Sequence, residues 1–407
     1  MNRFRLSTFD GADRATAPYF LYYVFCFMGI AIFTSFINIY FRQAGFEIAQ
    51  IGILTALGPI ISMASQPMWG TLSDRTNKRR VLMTVLAGSV IMSLILPLST
   101  SFVFLVITLL IYWSFATSLL PLGDAVVLSF LEGKQLKYSA MRVVGAVSFG
   151  LTGAFSGLML GGNVGRIFYY NAVFLSITFV LVYFMSSGKS QKVEQAGTHE
   201  AEEPEAPATT AKGKFAEIFS NKIVLGVYLS SFVFGLIMTF LHNFIGIRIT
   251  EVGGTEGQVG TALFIAAFSE IPLFLFMERL FGDKKPVHLL MFSAFFMGLR
   301  LLIMAVGDSV TMIYIAQSIH GVSFIIHLYF CIVLLHRHSP PHLKSTVQTV
   351  HAMMRVGAGA ILGALAGGFL AQNIGIQGVF MILSVFVLST CFILPGVLIL
   401  VHKAKTR

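Results

Sequence analysis

Charge is what this chain has least of. Asp, Glu, Lys and Arg make up 11% of its 407 residues, apolar residues make up 56%, and mean hydropathy is +0.81. A soluble domain of this length needs a far larger charged surface, so a water-soluble globule is excluded. Cysteine is also scarce. Cys26, Cys331 and Cys391 all fall inside apolar runs, with no disulfide framework and no metal-ligand spacing. They read as small core residues, and neither a metal nor a cofactor is implied. No HExxH, GxSxG or clustered triad occurs, which leaves an enzyme without its chemistry. The opening MNRFRLSTFDGADRATAPYF lacks a short apolar core followed by a small-residue cleavage site, so it does not read as a cleavable signal. The first apolar run is expected to do the targeting.

Long apolar runs are what the chain has in abundance. About 20 apolar residues cross a bilayer as a helix. Twelve stretches qualify, roughly 17–41, 48–69, 81–98, 102–130, 140–160, 167–186, 223–245, 258–280, 287–305, 310–336, 345–370 and 377–401. Continuous runs argue for helices, because a barrel shows shorter alternating strands. The expected fold is therefore an all-α membrane protein. Lysine and arginine placement sets orientation. With a cytoplasmic N-terminus, 22 of these residues fall inside and only Arg42, Arg166 and Arg248 fall outside. Both termini are therefore expected in the cytoplasm. The same bias explains the net charge of +10 without a nucleic-acid partner.

Residues 187–221 break the pattern. They are rich in Ala, Pro and Glu, lack apolar periodicity, and read as a flexible cytoplasmic linker. The linker divides the chain into bundles over 1–186 and 222–407, six stretches each. Repeat-built transporters share this layout, with the solute site between the halves near mid-membrane. The fifth stretch carries GAVSFGLTGAFSGLMLGG and the eleventh GAGAILGALAGG. Small residues at this spacing let membrane helices approach closely, for static packing or for sliding.

Ionisable residues inside the apolar stretches cost several kcal/mol unless paired or hydrated, and so point to function. Asp124 in SLLPLGDAVVLSFL and Arg142 in YSAMRVVGAVSFGL flank a short turn. A hairpin there brings both side chains to similar depth, as a solute-binding pair or as an ion pair locking two helices. Glu270 has no basic neighbour on its own stretch, and burial makes it a candidate proton carrier; a salt bridge to Arg300 is the alternative. His320 and His327 lie two turns apart on one helix face and suit a proton relay, or are hydrogen-bonded core residues. His351 and Arg355 are one turn apart, and Asn38 and Gln348 are candidate hydrogen-bond donors to solute. Arg142, Arg300 and Arg355 outnumber Asp124 and Glu270. A guanidinium excess favours a carboxylated solute, whereas a sugar needs an aromatic platform, and the only tryptophans are Trp69 and Trp113.

The segment QPMWGTLSDRTNKRR, residues 66–80, has its own logic. Gly70 is expected to end the second helix in a tight turn, and Asp74 to cap the third or sit at its positive end. Arg75, Lys78, Arg79 and Arg80 face cytosol and anionic headgroups of membrane lipid. Any membrane protein can carry a basic topogenic loop. The spacing G-x-x-x-D-R-x-x-[KR]-R goes further and resembles the signature loop of the major facilitator superfamily; FGDKKP after the eighth stretch is a shorter echo. The resemblance implies the major facilitator fold, twelve helices in two six-helix bundles, with Gly70, Asp74, Arg75 and Arg79 in a gating loop.

Two longer segments, ISMASQPMWGTLSDR and PLGDAVVLSFLEGKQLKYSAMRVVGAVSFG, are similar to the lactose permease and oligosaccharide:proton symporter branch. In that branch a helix 4 acid and a helix 5 arginine contact sugar from positions 18 apart, the separation of Asp124 and Arg142. The resemblance also implies coupling roles for Glu270, Arg300 and His320. It puts Phe149 at the helix 5 stacking position and Arg355 where a helix 11 lysine lies. Three departures stand against a direct copy. Ser323 replaces the proton-carrying glutamate, Gln317 replaces a lysine, and the seventh stretch lacks the branch's aspartates. HGVSFIIHLYF, with His320 and His327, is more similar to the nucleoside:proton symporter and phenylpropionate transporter group. The implied activity is proton symport, importing a sugar, nucleoside or aromatic acid, by a monomer in a bacterial inner (plasma) membrane. One rival is export, but exporters usually carry Gly-Pro in helix 5, absent from GLTGAFSGLMLGG. A sensor is the other, but it would append a folded signalling domain.

Overall fold

The computed structural model describes residues 16–132, 136, 138–185, 221–281 and 286–405. Most of the 187–221 segment and the basic residues at 3–14, 134, 137, 284 and 285 therefore lie outside the described residues. The described residues are almost entirely helical: α1 Ala17–Gln43, α2 Ile48–Arg75, α3 Lys78–Ile95, α4 Phe102–Ala116, α5 Leu119–Leu131, α6 Tyr138–Leu160 and α7 Arg166–Phe184. The C-terminal half follows with α8 Lys222–Glu251, α9 Glu256–Phe281, α10 Pro286–Val306, α11 Val310–Ser318, α12 His320–His338 and α13 Lys344–Ala352. A π-helical segment, Met353–Gly359, then leads into α14 Ala360–Lys405.

Ten helical spans among the described residues are long and apolar enough to cross a membrane. The difference from twelve apolar stretches has a local origin. The last span, Thr346–Cys391, runs through where a loop was expected between the eleventh and twelfth stretches. There the chain breaks only at Gly375, whose φ of 77° is a left-handed conformation that glycine adopts without strain. α9, which carries Pro272, falls outside the ten.

Two apolar stretches are broken beside candidate site residues. Pro121 has no amide hydrogen, so the Thr117 carbonyl between α4 and α5 loses its helical donor. Gln66 Nε2 takes that place at 3.1 Å. Asp124 follows on the short α5. Between α11 and α12, the amide of Gly321 donates to Ser269 Oγ at 2.8 Å rather than continuing the ladder. That break puts His320 at the start of α12, against α9.

Gly70 does not end a helix. α2 continues through Leu72 and Asp74 to Arg75, and no atom approaches the Cβ position of Gly70 within 4 Å. Asp74 does not cap α3 either. Asn77 does, its side chain accepting from the Arg80 amide at 3.1 Å. Arg79 reaches back to the end of α7, donating to the carbonyls of Val182 and Tyr183 and covering the Tyr183 ring.

The two halves of the chain meet at one end. A Cβ on Gly260 of α9 would lie 1.7 Å from the Gly153 carbonyl oxygen of α6, and one on Gly52 of α2 would lie 2.6 Å from the Ala364 carbonyl of α14. Only glycine allows these approaches. Ile48 and Ala49 amides donate to Gln372 Oε1 at 2.9 and 3.4 Å. One core cluster spans both halves here, from Phe36 and Phe41 to Phe244 and Phe380. The basic ends of α2, α3, α12 and α13 lie at the opposite end.

Candidate functional site

Asp124 and Arg142 meet. Arg142 Nη1 lies 3.6 Å from Asp124 Oδ2, with 42% and 24% of their side chains exposed. Exposure this large within apolar helices requires an adjoining space. The α6 face carrying Arg142 is also the face that meets α9 at Gly153 and Gly157. Arg142 therefore looks toward the gap between the halves. Tyr23 of α1 donates to Asp124 Oδ1 at 2.5 Å, and the guanidinium lies 5.6 Å from the centre of the Phe27 ring. Tyr138 stands beside Tyr23, ring centroids 6.5 Å apart. Tyr23 and Phe27, one turn apart in α1, escaped the sequence reading because aromatics are abundant in apolar stretches. Phe149 sits two turns beyond Arg142 along α6 and is half-buried.

The second constellation crosses α9, α10, α11 and α12. Glu270 Oε1 lies 2.9 Å from His320 Nε2, and His320 Nδ1 lies 2.8 Å from Arg300 Nη1. Arginine can only donate, so Nδ1 accepts from Arg300, and the Nε2 hydrogen points at the Glu270 carboxylate. A neutral imidazole thus stands between acid and guanidinium, where a direct salt bridge was the sequence alternative. Arg300 also donates to Gln317 Oε1. It is 1% exposed and its Nε has no partner. His242 of α8 lies within electrostatic reach of Arg300. Sequence reasoning missed His242 because it stands alone near the end of a long apolar run.

His327 does not join that chain. It stacks on Phe234, ring centroids 4.0 Å apart at 4°, with its Nε2 3.4 Å from Cys331 Sγ. His351 and Arg355 lie close enough to interact with it electrostatically. Seven residues place His320 and His327 on one face, but Ile319–Gly321 begins the helix at His320, and different helices pack at each level. Asn38 is engaged across the halves, its Nδ2 donating to the Asn243 carbonyl at 2.8 Å while its Oδ1 has no partner. Gln348 donates to the Ile332 carbonyl at 3.3 Å. In the N-terminal half, a cavity of about 190 Å³ opens beside the α4–α5 break, lined by Ile30, Thr34, Trp113, Thr117, Leu120 and Asn171 among others.

These side chains hold paired charges and unpartnered polar atoms inside both helical halves. Such an arrangement can bind a polar solute and carry a proton.

Residues 17–382 match the model of the family described as MFS_1 like. A maltose permease of Geobacillus stearothermophilus is 25% identical over 399 residues, covering 97% of this chain and 96% of its own. An uncharacterized transporter of Bacillus subtilis (strain 168), YwbF, is 24% identical over 373 residues, covering 89% and 88%. Among solved structures, the nucleoside transporter NupG superposes with a TM-score of 0.81 over 94% of this chain and 99% of its own, at 15% identity.

Proposed function

The chain belongs to the MFS_1 like family, and from that premise we propose that it is a proton-coupled symporter importing a small organic solute by alternating access. It is a multi-span membrane transporter, and its relatives are transporters rather than enzymes. The names of the maltose permease and of NupG support a sugar or a nucleoside as the solute class. The reading places twelve helices in two six-helix bundles, over 1–186 and 222–407, joined by a cytoplasmic linker at 187–221. Both termini are cytoplasmic, the membrane is a bacterial plasma membrane, and the protein acts as a monomer.

The observation that carries the coupling is the chain Glu270–His320–Arg300. With Glu270 ionised, its charge balances Arg300 through the imidazole. A proton on Glu270 removes that balance, and Arg300 must then find other partners. The change is local, yet it touches α9, α10, α11 and α12 together. Solute binds opposite, at Asp124 and Arg142, where Tyr23 holds the carboxylate and Phe27 faces the guanidinium. The glycine contacts at one end support a state closed there. The positive-inside orientation makes that end extracellular, and the state inward-facing.

Glu270→Gln tests the role. Purified protein in liposomes is expected to keep downhill solute exchange and to lose accumulation driven by a proton gradient. Accumulation at the wild-type level would remove Glu270 from coupling.

A further inference from the structure

Arg355 is a cation without an anion. Among the described residues, Arg142 pairs with Asp124, Arg248 pairs with Glu251, and Arg300 reaches Glu270 through His320. No described carboxylate pairs with Arg355, and its Nε has no hydrogen-bond partner. Its electrostatic neighbours are His351, His327 and Cys331, none of them a carboxylate. His351, 4% exposed, also has an unpartnered nitrogen, Nε2. Two unsatisfied nitrogens beside one unbalanced guanidinium are costly inside a membrane protein. Such a group persists where something anionic visits it.

The local backbone holds the cluster in place. Arg355 lies in the π-helical segment, a form concentrated at functional sites. Gly235 of α8 packs on it so closely that a Cβ there would lie 2.1 Å from the Arg355 carbonyl oxygen. On the other side, Met63 of α2 comes within 3.8 Å of the Cβ position at Gly357. The π segment thus borders the N-terminal half, and a solute between the halves can reach it. Arginine offers a planar fork that matches a carboxylate, and its Nε edge is one limb of that fork.

We propose that the solute carries a carboxylate, and that Arg355, with His351 as a second donor, is its receptor. This rests on the transport reading above and narrows its solute class to organic acids such as sugar acids or aryl carboxylates. The Asp124–Arg142 pair then faces the hydroxyl-bearing or neutral remainder of the solute.

Matched probes separate charge from shape. Purified transporter in detergent would be titrated with D-glucuronate against D-glucose, and with 3-phenylpropionate against 3-phenylpropanamide, reading the thermal unfolding midpoint. At least one acid is expected to bind about tenfold or more tightly than its neutral partner, the ratio that one charged hydrogen-bonded contact supplies. Arg355→Gln is expected to bring the pair to parity. Arg355→Lys, which keeps charge without the fork, is expected to retain part of the preference and guards against a folding artefact. Three results overturn the proposal: neutral partners binding as well as the acids, a preference that survives Arg355→Gln, or failure of both acids to bind. Sodium chloride and sodium phosphate form the control arm. Arg355-dependent stabilisation by these alone makes the cluster an inorganic-anion site and also overturns the proposal. Proton-driven uptake of a neutral sugar or nucleoside, with no acid bound, sinks this inference while leaving the transport reading standing.

Discussion

Gly260→Ala should force open the end at which the halves meet. The new Cβ would lie 1.7 Å from the Gly153 carbonyl oxygen and 2.2 Å from Ser156 Oγ. Ordinary contact is about 3.5 Å, so α6 and α9 must part by about 2 Å, or both must shift. The Ser156 hydroxyl can rotate away, but the Gly153 carbonyl is backbone and cannot. Overpacking of this kind costs about 1–3 kcal/mol. Because the clash exists only in the closed arrangement, the cost falls on that state alone. At about 1.4 kcal/mol per tenfold, the ratio of closed to open molecules drops by about 5- to 150-fold. The assay is a distance measurement between spin labels on Thr100 and Asp308, exposed residues of connecting segments in the two halves near that end, in a background without the native cysteines. The variant should gain a longer-distance population. An unchanged distribution in a well-folded variant would refute the idea that these glycines form a conformational contact.

Asp124→Asn should leave Arg142 without its counter-charge and lower solute affinity by about tenfold or more, as loss of one partner of a part-buried pair does; equilibrium binding at fixed pH checks this. Tyr23→Phe removes one hydrogen bond to the same carboxylate and should weaken binding by a smaller factor, about 1 kcal/mol or less. Asn77→Ala removes the cap of α3 and should lower stability by about 1 kcal/mol, seen in the thermal midpoint, with solute affinity unchanged.

The sequence made some of this legible and hid the rest for identifiable reasons. The Asp124–Arg142 contact was readable because one short turn joins their helices, so spacing alone brings them together. Glu270, Arg300 and His320 were nameable as ionisable groups in hydrocarbon. Their order was not, because it depends on how α9, α10 and α12 cross, and on the break at Ile319. Pro121 was a visible signal for the α4–α5 break, since a proline inside a helix frees the carbonyl four residues earlier. Gln66 as the group that answers it was not visible. Gly70 misled because glycine is tolerated in an exposed helix, and nothing at that point required a turn. The asparagine in TNKRR was the better cap signal, directly before the first residue of α3.

Charge balance across the site leads to a last, sharper expectation. Two positions charged in the lactose permease branch, one basic and one acidic, are both neutral here, Gln317 and Ser323. Their losses cancel, so the surroundings of Arg300 keep their balance through Glu270. The acids missing from α8 have no such counterweight, and Arg355 is the cation left over. If a carboxylate fills that place and Glu270 brings in one proton, each cycle moves a negative solute and a positive proton together. Net charge movement is then zero. A cycle that moved one net charge would respond to membrane potential by about 2.3 kcal/mol per 100 mV, about 50-fold in accumulation ratio. Liposomes clamped at 100 mV, interior negative, with no pH gradient, should therefore show no accumulation of the acid. A pH gradient, interior alkaline, with no potential, should drive accumulation in full. Potential-driven accumulation of a carboxylate solute would show that more than one proton enters per turn, and that Glu270 cannot be the sole carrier.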